Sequence, residues 1–202
     1  PDISSLKQSI NKNKNYNLIN ISNLKELQQQ KDVNLLIAHQ LPYDNESYEI
    51  LKKFQSNSTP ILYIIGKRTN FNLFNKLNNG IKINAYNKIS QTPALPQFNK
   101  DFSLFSISKE TIDILTQLPP LSSPLAKFDA SQGLQTLFYQ TQNTLKTNYP
   151  LITFNNSTDN KSATICGEDI WKWRLRNYLQ NNSTEQVDEI IQKTIQYLVS
   201  DT

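Results

Sequence analysis

The chain has no methionine, one cysteine (Cys166) and one histidine (His39) among its 202 residues, and each scarcity removes a class of function. One cysteine cannot close an internal disulfide or supply a cysteine-based zinc site, and one histidine cannot build a multi-histidine metal centre. No metal and no cofactor is therefore expected. No apolar run nears the roughly 18 residues of a membrane-spanning helix. The longest, Ile61 to Ile65, is the length of a strand, so direct membrane insertion is not expected. The opening Pro1-Asp2-Ile3 has neither the basic region nor the apolar core of a targeting peptide. Without an initiator methionine, the chain reads as a fragment of a larger protein or a processed product. A contiguous basic stripe is missing too. The net charge is +4, but its densest groups are only Lys52-Lys53, Lys67-Arg68 and Arg174 with Arg176. Phosphate tracking needs such a stripe, so no nucleic-acid partner is expected and the charge serves solubility.

What is present describes one α/β domain over 1–202, with 37% hydrophobic and 19% charged residues. Ile3, Leu6 and Ile10 recur at helical spacing behind a cap at Asp2 or Ser4. A short strand follows over Tyr16 to Ile21, then a helical turn over Leu24 to Gln30. Val33 to Ala38 and Ile61 to Ile65 are near-continuous apolar runs, as strands covered on both faces require. Between them, Asp44 or Asn45 caps a helix that carries Tyr48, Ile50, Leu51 and Phe54. A short helix over Phe71 to Leu77, a turn at Asn79-Gly80 and a strand over Ile81 to Tyr86 come next. The two prolines of Ser90 to Gln97 predict a surface loop, and Pro119-Pro120 ends a helix over Glu110 to Leu118. Beyond Pro124, Leu134 to Gln140 and Leu151 to Phe154 alternate. A polar turn over 155–160 leads into Ala163 to Cys166, which predicts antiparallel strands. Helices over Asp169 to Leu179 and Thr184 to Leu198 close the chain. The strand–helix–strand order predicts a mostly parallel sheet flanked by helices, with an antiparallel extension near the C-terminus. Opening on a helix points to a first strand upstream of Pro1.

Parallel sheets bind ligands beyond the carboxyl ends of their strands, which marks His39 and Gln40, the turn Gly66-Lys67-Arg68, and Gly167-Glu168-Asp169. His39 titrates near neutrality unaided, yet a lone histidine also serves as a hydrogen-bonded structural residue. Lys67 and Arg68 at a helix entrance could hold an anion. The turn has one glycine where phosphate cradles have several, so a solvated basic pair explains it equally. Glu168 and Asp169 suit a helix N-terminus by charge alone. Cys166 could act as a nucleophile only with His39 as base; otherwise it is a small buried thiol. On a helix, Trp171, Leu175 and Tyr178 share a face expected to pack on the sheet. Trp173 and Arg176 point about 200° away, which makes them candidates for an interface or for cover by the last helix.

The run Gly167-Glu168-Asp169-Ile170-Trp171-Lys172-Trp173-Arg174-Leu175 resembles the Gly-Glu-Gly-hydrophobic-Trp-Arg-Trp-Arg-Leu signature of large membrane-anchored Bacteroidota proteins of unknown function. Those proteins carry a class I glutamine amidotransferase-like domain. Pro1-Asp2-Ile3, the 36–42 segment Leu-Ile-Ala-His-Gln-Leu-Pro, Leu118-Pro119-Pro120-Leu121 and Ile195-Gln196-Tyr197-Leu198 fit as well, so the likeness covers nearly the whole chain. Asp169 stands where the resemblance has a small residue. The resemblance implies a flavodoxin-like fold and membrane helices elsewhere in the parent chain. It also implies a soluble domain of a membrane-anchored protein, periplasmic rather than cytoplasmic, with the parent's other domains as partners. Enzymes of that class hold a cysteine on the turn equivalent to Gly66-Lys67-Arg68, with a histidine and a glutamate downstream. This turn has no cysteine and no histidine follows His39, so no catalytic residue carries over.

Three functions remain open. One is a non-catalytic binding or scaffolding domain of an envelope protein, taking a small molecule or a neighbouring domain. Another is a hydrolase-type enzyme using His39 and Glu168. The third is a binder of phosphorylated ligands using Lys67 and Arg68.

Overall fold

The computed structural model describes residues 1–86, 90–157 and 160–200. In chain order the elements are α1 (Asp2–Ile10), α2 (Leu24–Gln28), β1 (Leu36–His39), α3 (Asn45–Ser56), β2 (Ile61–Ile64), α4 (Phe71–Asn75), β3 (Ile81–Ala85) and β4 (Gln91–Phe98). They continue with α5 (Lys109–Ile114), β5 (Leu121–Pro124), β6 (Ala126–Ala130), β7 (Gln135–Gln142), β8 (Leu145–Ser157), β9 (Asn160–Ile165), α6 (Ile170–Asn181) and α7 (Glu185–Val199).

Seven strands form one sheet in the order β1-β2-β9-β8-β7-β4-β5, while β3 and β6 pair separately. Only β1 with β2 and β2 with β9 are parallel. The β9–β8, β8–β7, β7–β4 and β4–β5 pairs all run antiparallel. The sheet is therefore mixed and mostly antiparallel, which corrects the expected flavodoxin-like, mostly parallel fold. Nor does the sheet hold an open interior place beside β2, which β1 and β9 flank on both sides.

Much of the difference comes from Ser90 to Gln97, expected as a loop and found as strand β4. Its first half, through Ala94, pairs with β5, and its second half, from Leu95, pairs with β7. Each half is thus hydrogen-bonded on one side only. Pro93 and Pro96 lack an amide proton and are tolerated because each lies where one side of the strand has no ladder to serve. Tyr16 to Ile21, expected as a strand, is irregular instead. Tyr16 and Leu18 pack on one core and Ile21 and Leu24 on the other, so the segment crosses from one face of the sheet to the other. The β8–β9 hairpin is formed, and the tip of its expected turn, at 158–159, lies outside the described residues.

β2 is buried on both faces, as its unbroken apolar run requires. Leu62 and Ile64 face a core shared with α1, α6 and α7 that also holds Phe138, Phe154 and Trp173. Ile61, Tyr63 and Ile65 face a second core with Leu51 and Phe54 of α3, Phe74 of α4 and Phe128 of β6. The Asp44 side chain accepts from the Ser47 backbone N–H, while Ser47 Oγ accepts from the Asp44 N–H, a reciprocal cap that starts α3 where the sequence placed it. Two other helices are held at their starts by distant carboxylates. Glu189 of α7 accepts from the Ser108 N–H and from the hydroxyls of Ser108 and Thr111 at the head of α5. Burial raises its pKa, but these donors outweigh burial and hold it below the ordinary range. Asp2 does the same for α6, as described next.

Candidate functional site

Because β1, β2 and β9 are parallel, their carboxyl ends open on one edge, which gathers Gln40, Gly66 to Arg68 and Glu168. Gln40 follows β1 with φ at +57°, anchored by its N–H to the Ile64 carbonyl at 2.8 Å. Its side-chain amide donates to Glu168 Oε1, and its Oε1 accepts from the Arg68 N–H at 3.1 Å. Glu168 Oε2 accepts from the Lys67 N–H at 2.8 Å. The amide–carboxylate pair lies directly over Gly66. A Cβ there would stand 2.6 Å from Glu168 Cδ and 2.7 Å from Gln40 Cδ, so a side chain at this position would displace the ends of both side chains. The glycine leaves room for this close approach. The backbone N–H groups that an anion would seek at Lys67 and Arg68 are already bound by Glu168 and Gln40. The Lys67 and Arg68 side chains are exposed, and the Arg68 guanidinium lies 5.0 Å from the Tyr43 ring centroid.

His39 stands apart from this network. It is in register with Ile64, which faces the α1–α6–α7 core, and its Nε2 lies 3.9 Å from Asp2 Oδ2 of α1. That separation is too long for a hydrogen bond. Asp2 was expected as a cap for its own helix; instead its carboxylate accepts from the N–H groups of Asp169, at 2.9 Å, and Trp171, at 3.0 Å, capping α6. Burial pushes the Asp2 carboxyl up, but the His39 imidazole and the two backbone donors together hold it below the usual carboxylate range. Cys166 is fully buried in the opposite core, against α3 and α4, and burial pushes its thiol far up. The only cysteine and the only histidine therefore lie on different faces of the sheet. They cannot form a nucleophile–base pair, and no hydrogen bond or ion pair joins His39 to Glu168 among the described residues.

Around Asp169 the chain turns sharply. Asp169 has φ at +79°, a conformation that costs side-chain-bearing residues about 1–2 kcal/mol and that glycine adopts freely. Its carboxylate accepts from Trp171 Nε1 at 3.2 Å and from Lys172 Nζ at 2.8 Å, which holds the turn in place.

The faces of α6 are the reverse of the expected ones. Trp173 is completely buried with Ile170 and Asn177, while Leu175 and Tyr178 are exposed. Trp173 Nε1 donates to the Pro119 carbonyl at 2.7 Å, and its ring meets Phe138 edge-on at 6.3 Å. A fully buried Trp173 offers nothing to a partner, so of the two interface candidates only Arg176 is exposed. Asp188 of α7 is pulled up by burial but held below the ordinary range by Arg174, Lys12 and Thr184. Its contacts to Arg174 Nε and Lys12 Nζ measure 2.8 and 2.5 Å. Beside these groups, α1 and α6 enclose an open groove of about 680 Å³. Sequence periodicity picked out the Trp171, Leu175 and Tyr178 face for the sheet, but it carried no information on the packing partners that bury the opposite one.

Among the described residues, no cluster of three or more His, Cys, Asp or Glu side chains could hold a metal ion. No described helix is long and apolar enough to cross a membrane.

No family model matches the sequence, and no curated protein matches it. Solved structures do. The mmIFT52 N-terminal domain aligns over 98% of this chain and 90% of its own, with a TM-score of 0.52 and 16% identity. A cytoplasmic protein of Salmonella typhimurium LT2, STM1381, aligns over 95% of this chain and 86% of its own, with a TM-score of 0.53 and 10% identity. An exo-β-1,4-mannosidase from Opitutaceae bacterium strain TAV5 aligns over 81% of this chain but only 25% of its own, at a TM-score of 0.49 and 14% identity. At such identities the first two likenesses concern the fold alone, and the third carries no weight. Nothing in them restores the flavodoxin-like expectation.

Proposed function

We propose that this chain is a non-catalytic binding or scaffolding domain. The observation that carries this reading is the filled edge of the sheet: Glu168 spends both oxygens on Gln40 and on the Lys67 N–H, directly over Gly66. Those two bonds turn the carboxylate toward Gln40 and the Gly66 turn, where it has a structural task. The hydrolase reading needs His39 and Glu168 to share a substrate, whereas one faces Asp2 and the other Gln40. The phosphorylated-ligand reading is left with the side chains of Lys67 and Arg68 alone. The signature over 167–175 supports placing the domain in a membrane-anchored envelope protein, on the periplasmic side, with the parent's other domains as its partners.

The test is a turnover screen with glutamine, ester and phosphomonoester substrates, run beside thermal-shift measurements with millimolar phosphorylated ligands. No turnover and no shift are expected. Turnover abolished by both His39→Ala and Glu168→Gln would overturn the proposal in favour of an enzyme. A ligand at 100 times its Kd stabilises by about 2.7 kcal/mol. A rise in Tm that vanishes in a Lys67→Ala, Arg68→Ala double variant would overturn it in favour of an anion binder.

A further inference from the structure

The seven-stranded sheet ends at β1 on one side and β5 on the other, and the two edges are finished differently. At β5, Pro124 has no amide proton to offer, and Ser122 exchanges two backbone hydrogen bonds with Glu168, each at 3.0 Å. Nothing comparable closes β1. The Leu36 N–H goes to the Pro60 carbonyl at 3.0 Å and the Gln40 N–H to the Ile64 carbonyl at 2.8 Å, both on the β2 side. Along a strand, groups that serve one neighbour alternate with groups that face the other way. Ile37 and His39 therefore turn their N–H and C=O groups away from β2, and no strand stands there.

Free domains blunt such an edge with charge, proline, a bulge or a covering loop. Residues 35–40 contain no Lys, Arg, Asp, Glu or Pro, and their register with β2 is unbroken. The chain between α1 and α2 does not pair with the edge either. Residues 16–23 run without a turn or bend, and no hydrogen bond joins the backbone of 17–22 to any described residue.

The unpaired groups specify an extended backbone, and the surroundings specify its side chains. Although β1 is an edge strand, Ala38 is fully buried and Leu36 only 9% exposed, in the core that holds Leu27 of α2 and Leu51 of α3. On the other face Ile37 packs on the core that holds Leu6 and Ile10 of α1. At about 100° per residue, Ile3 lies across α1 from Ser5 and Gln8, which line the groove toward α6. Ile3 is 44% exposed on that outer flank, and Ile19 of the α1–α2 link is 63% exposed. A second folded copy would have to bring its own edge within about 4.8 Å through both helical layers. A single strand need only lie between them. Covered on both faces as β2 is, it would be apolar throughout.

We infer that the outer edge of β1 accepts one short, continuously apolar strand of a partner polypeptide, held by the backbone groups of Ile37 and His39. This deepens the binding reading above and rests on it only for the premise that the domain works by association. Residue-resolved amide hydrogen exchange of the whole chain is the first arm of the test. Ile37 and His39 should exchange about tenfold or more faster than Ala38 between them, which faces β2. The second arm is selection from displayed peptides about ten residues long, with apolar, alternating and charged central runs in equal numbers. Continuous runs of Val, Ile, Leu or Phe are expected to win. A synthetic copy should slow exchange at Ile37 and His39 about tenfold or more. N-methylation scanned along its run should weaken binding about fivefold or more at every second position, by leaving a β1 carbonyl unpaired. No arm alters the protein, so misfolding cannot imitate a negative result. Slow exchange at both amides in the free protein, no enrichment, or enrichment of alternating or charged runs overturns the inference. So does binding that leaves both amides unprotected, or a methylation scan without the two-residue period. A concentration-dependent dimer that protects them also overturns it, because the occupant is then a second copy. Failure here without turnover in the substrate screen sinks this inference alone. Turnover that depends on His39 and Glu168 sinks the binding reading and leaves the exchange pattern of the edge as stated.

Discussion

Replacing Asp2 by Asn is the sharpest probe of how this domain holds its candidate edge together. The Asp2 carboxylate is buried and accepts two backbone N–H bonds, from Asp169 and Trp171, at the start of a twelve-residue helix. Asparagine keeps the shape but offers one oxygen, so its NH₂ must face one of those N–H groups, donor against donor. A hydrogen bond to a charged group is worth about 1.5–3 kcal/mol, and loss of the negative charge at the helix N-terminus falls within the same effect. Asp2→Asn should therefore cost about 1.5–3 kcal/mol near pH 7. At about 2–4 °C per kcal/mol for a domain of this size, the fall in Tm is about 3–12 °C. The pH dependence follows from the direction of the pKa. The folded-state value lies below the ordinary 3.8, so the unfolded chain takes up this proton first as pH falls. The contribution is complete above the ordinary value and disappears as pH drops through the lower, folded-state one. Asp188 and Glu189 are lowered too and weaken the whole protein in acid, but they are common to both chains and cancel in the difference. Urea unfolding followed by tryptophan fluorescence at pH 7, 5 and 3 measures that difference. Equal midpoints at pH 7, or a gap that stays constant into acid, would refute the capping role of Asp2.

Two further outcomes follow from the burial pattern. Trp173→Ala should cost about 3–5 kcal/mol through loss of packing and of the bond to the Pro119 carbonyl, while Trp171→Ala on the exposed stripe should cost clearly less. Chemical denaturation of both variants checks it, and a reversed order would mean that α6 docks by its other face. Cys166, fully buried with its thiol pushed up, should resist a disulfide-exchange reagent at pH 8 in the native protein and react at the rate of opening. Rapid labelling of the folded chain would show an accessible thiol and reopen a chemical role.

Sequence periodicity placed the strands that matter for the candidate site. The apolar runs around Leu36 and Ile61 could only be strands covered on both faces, and parallel pairing then set His39, Gln40, Gly66 and Glu168 at one edge. The cap at Asp44, one of the two positions read for it, was equally local and equally legible, although its Ser47 partner was not. What failed depended on partners distant in the chain. Pro93 and Pro96 disfavour a strand unless each half of it is paired on one side only, a condition set by β5 and β7. The Gln40–Glu168 bond spans 128 positions, and no spacing rule joins two such residues.

What the sequence determined by itself was the helices, the strongly apolar strands and the absence of a thiol–imidazole relay at an elbow, because hydrophobic period and residue inventory are local properties. Strands β4, β5 and β6 were not among those it showed. Tertiary structure decided which face each element turned inward. Helix α6 has two apolar stripes of similar merit, and the choice was made by the Asp2 carboxylate at its first turn and the Pro119 carbonyl at Trp173. The same kind of choice put Cys166 and His39 on opposite sides of the sheet. A strand's parity fixes which of its residues share a face, but only the layers packed against it decide what each face meets.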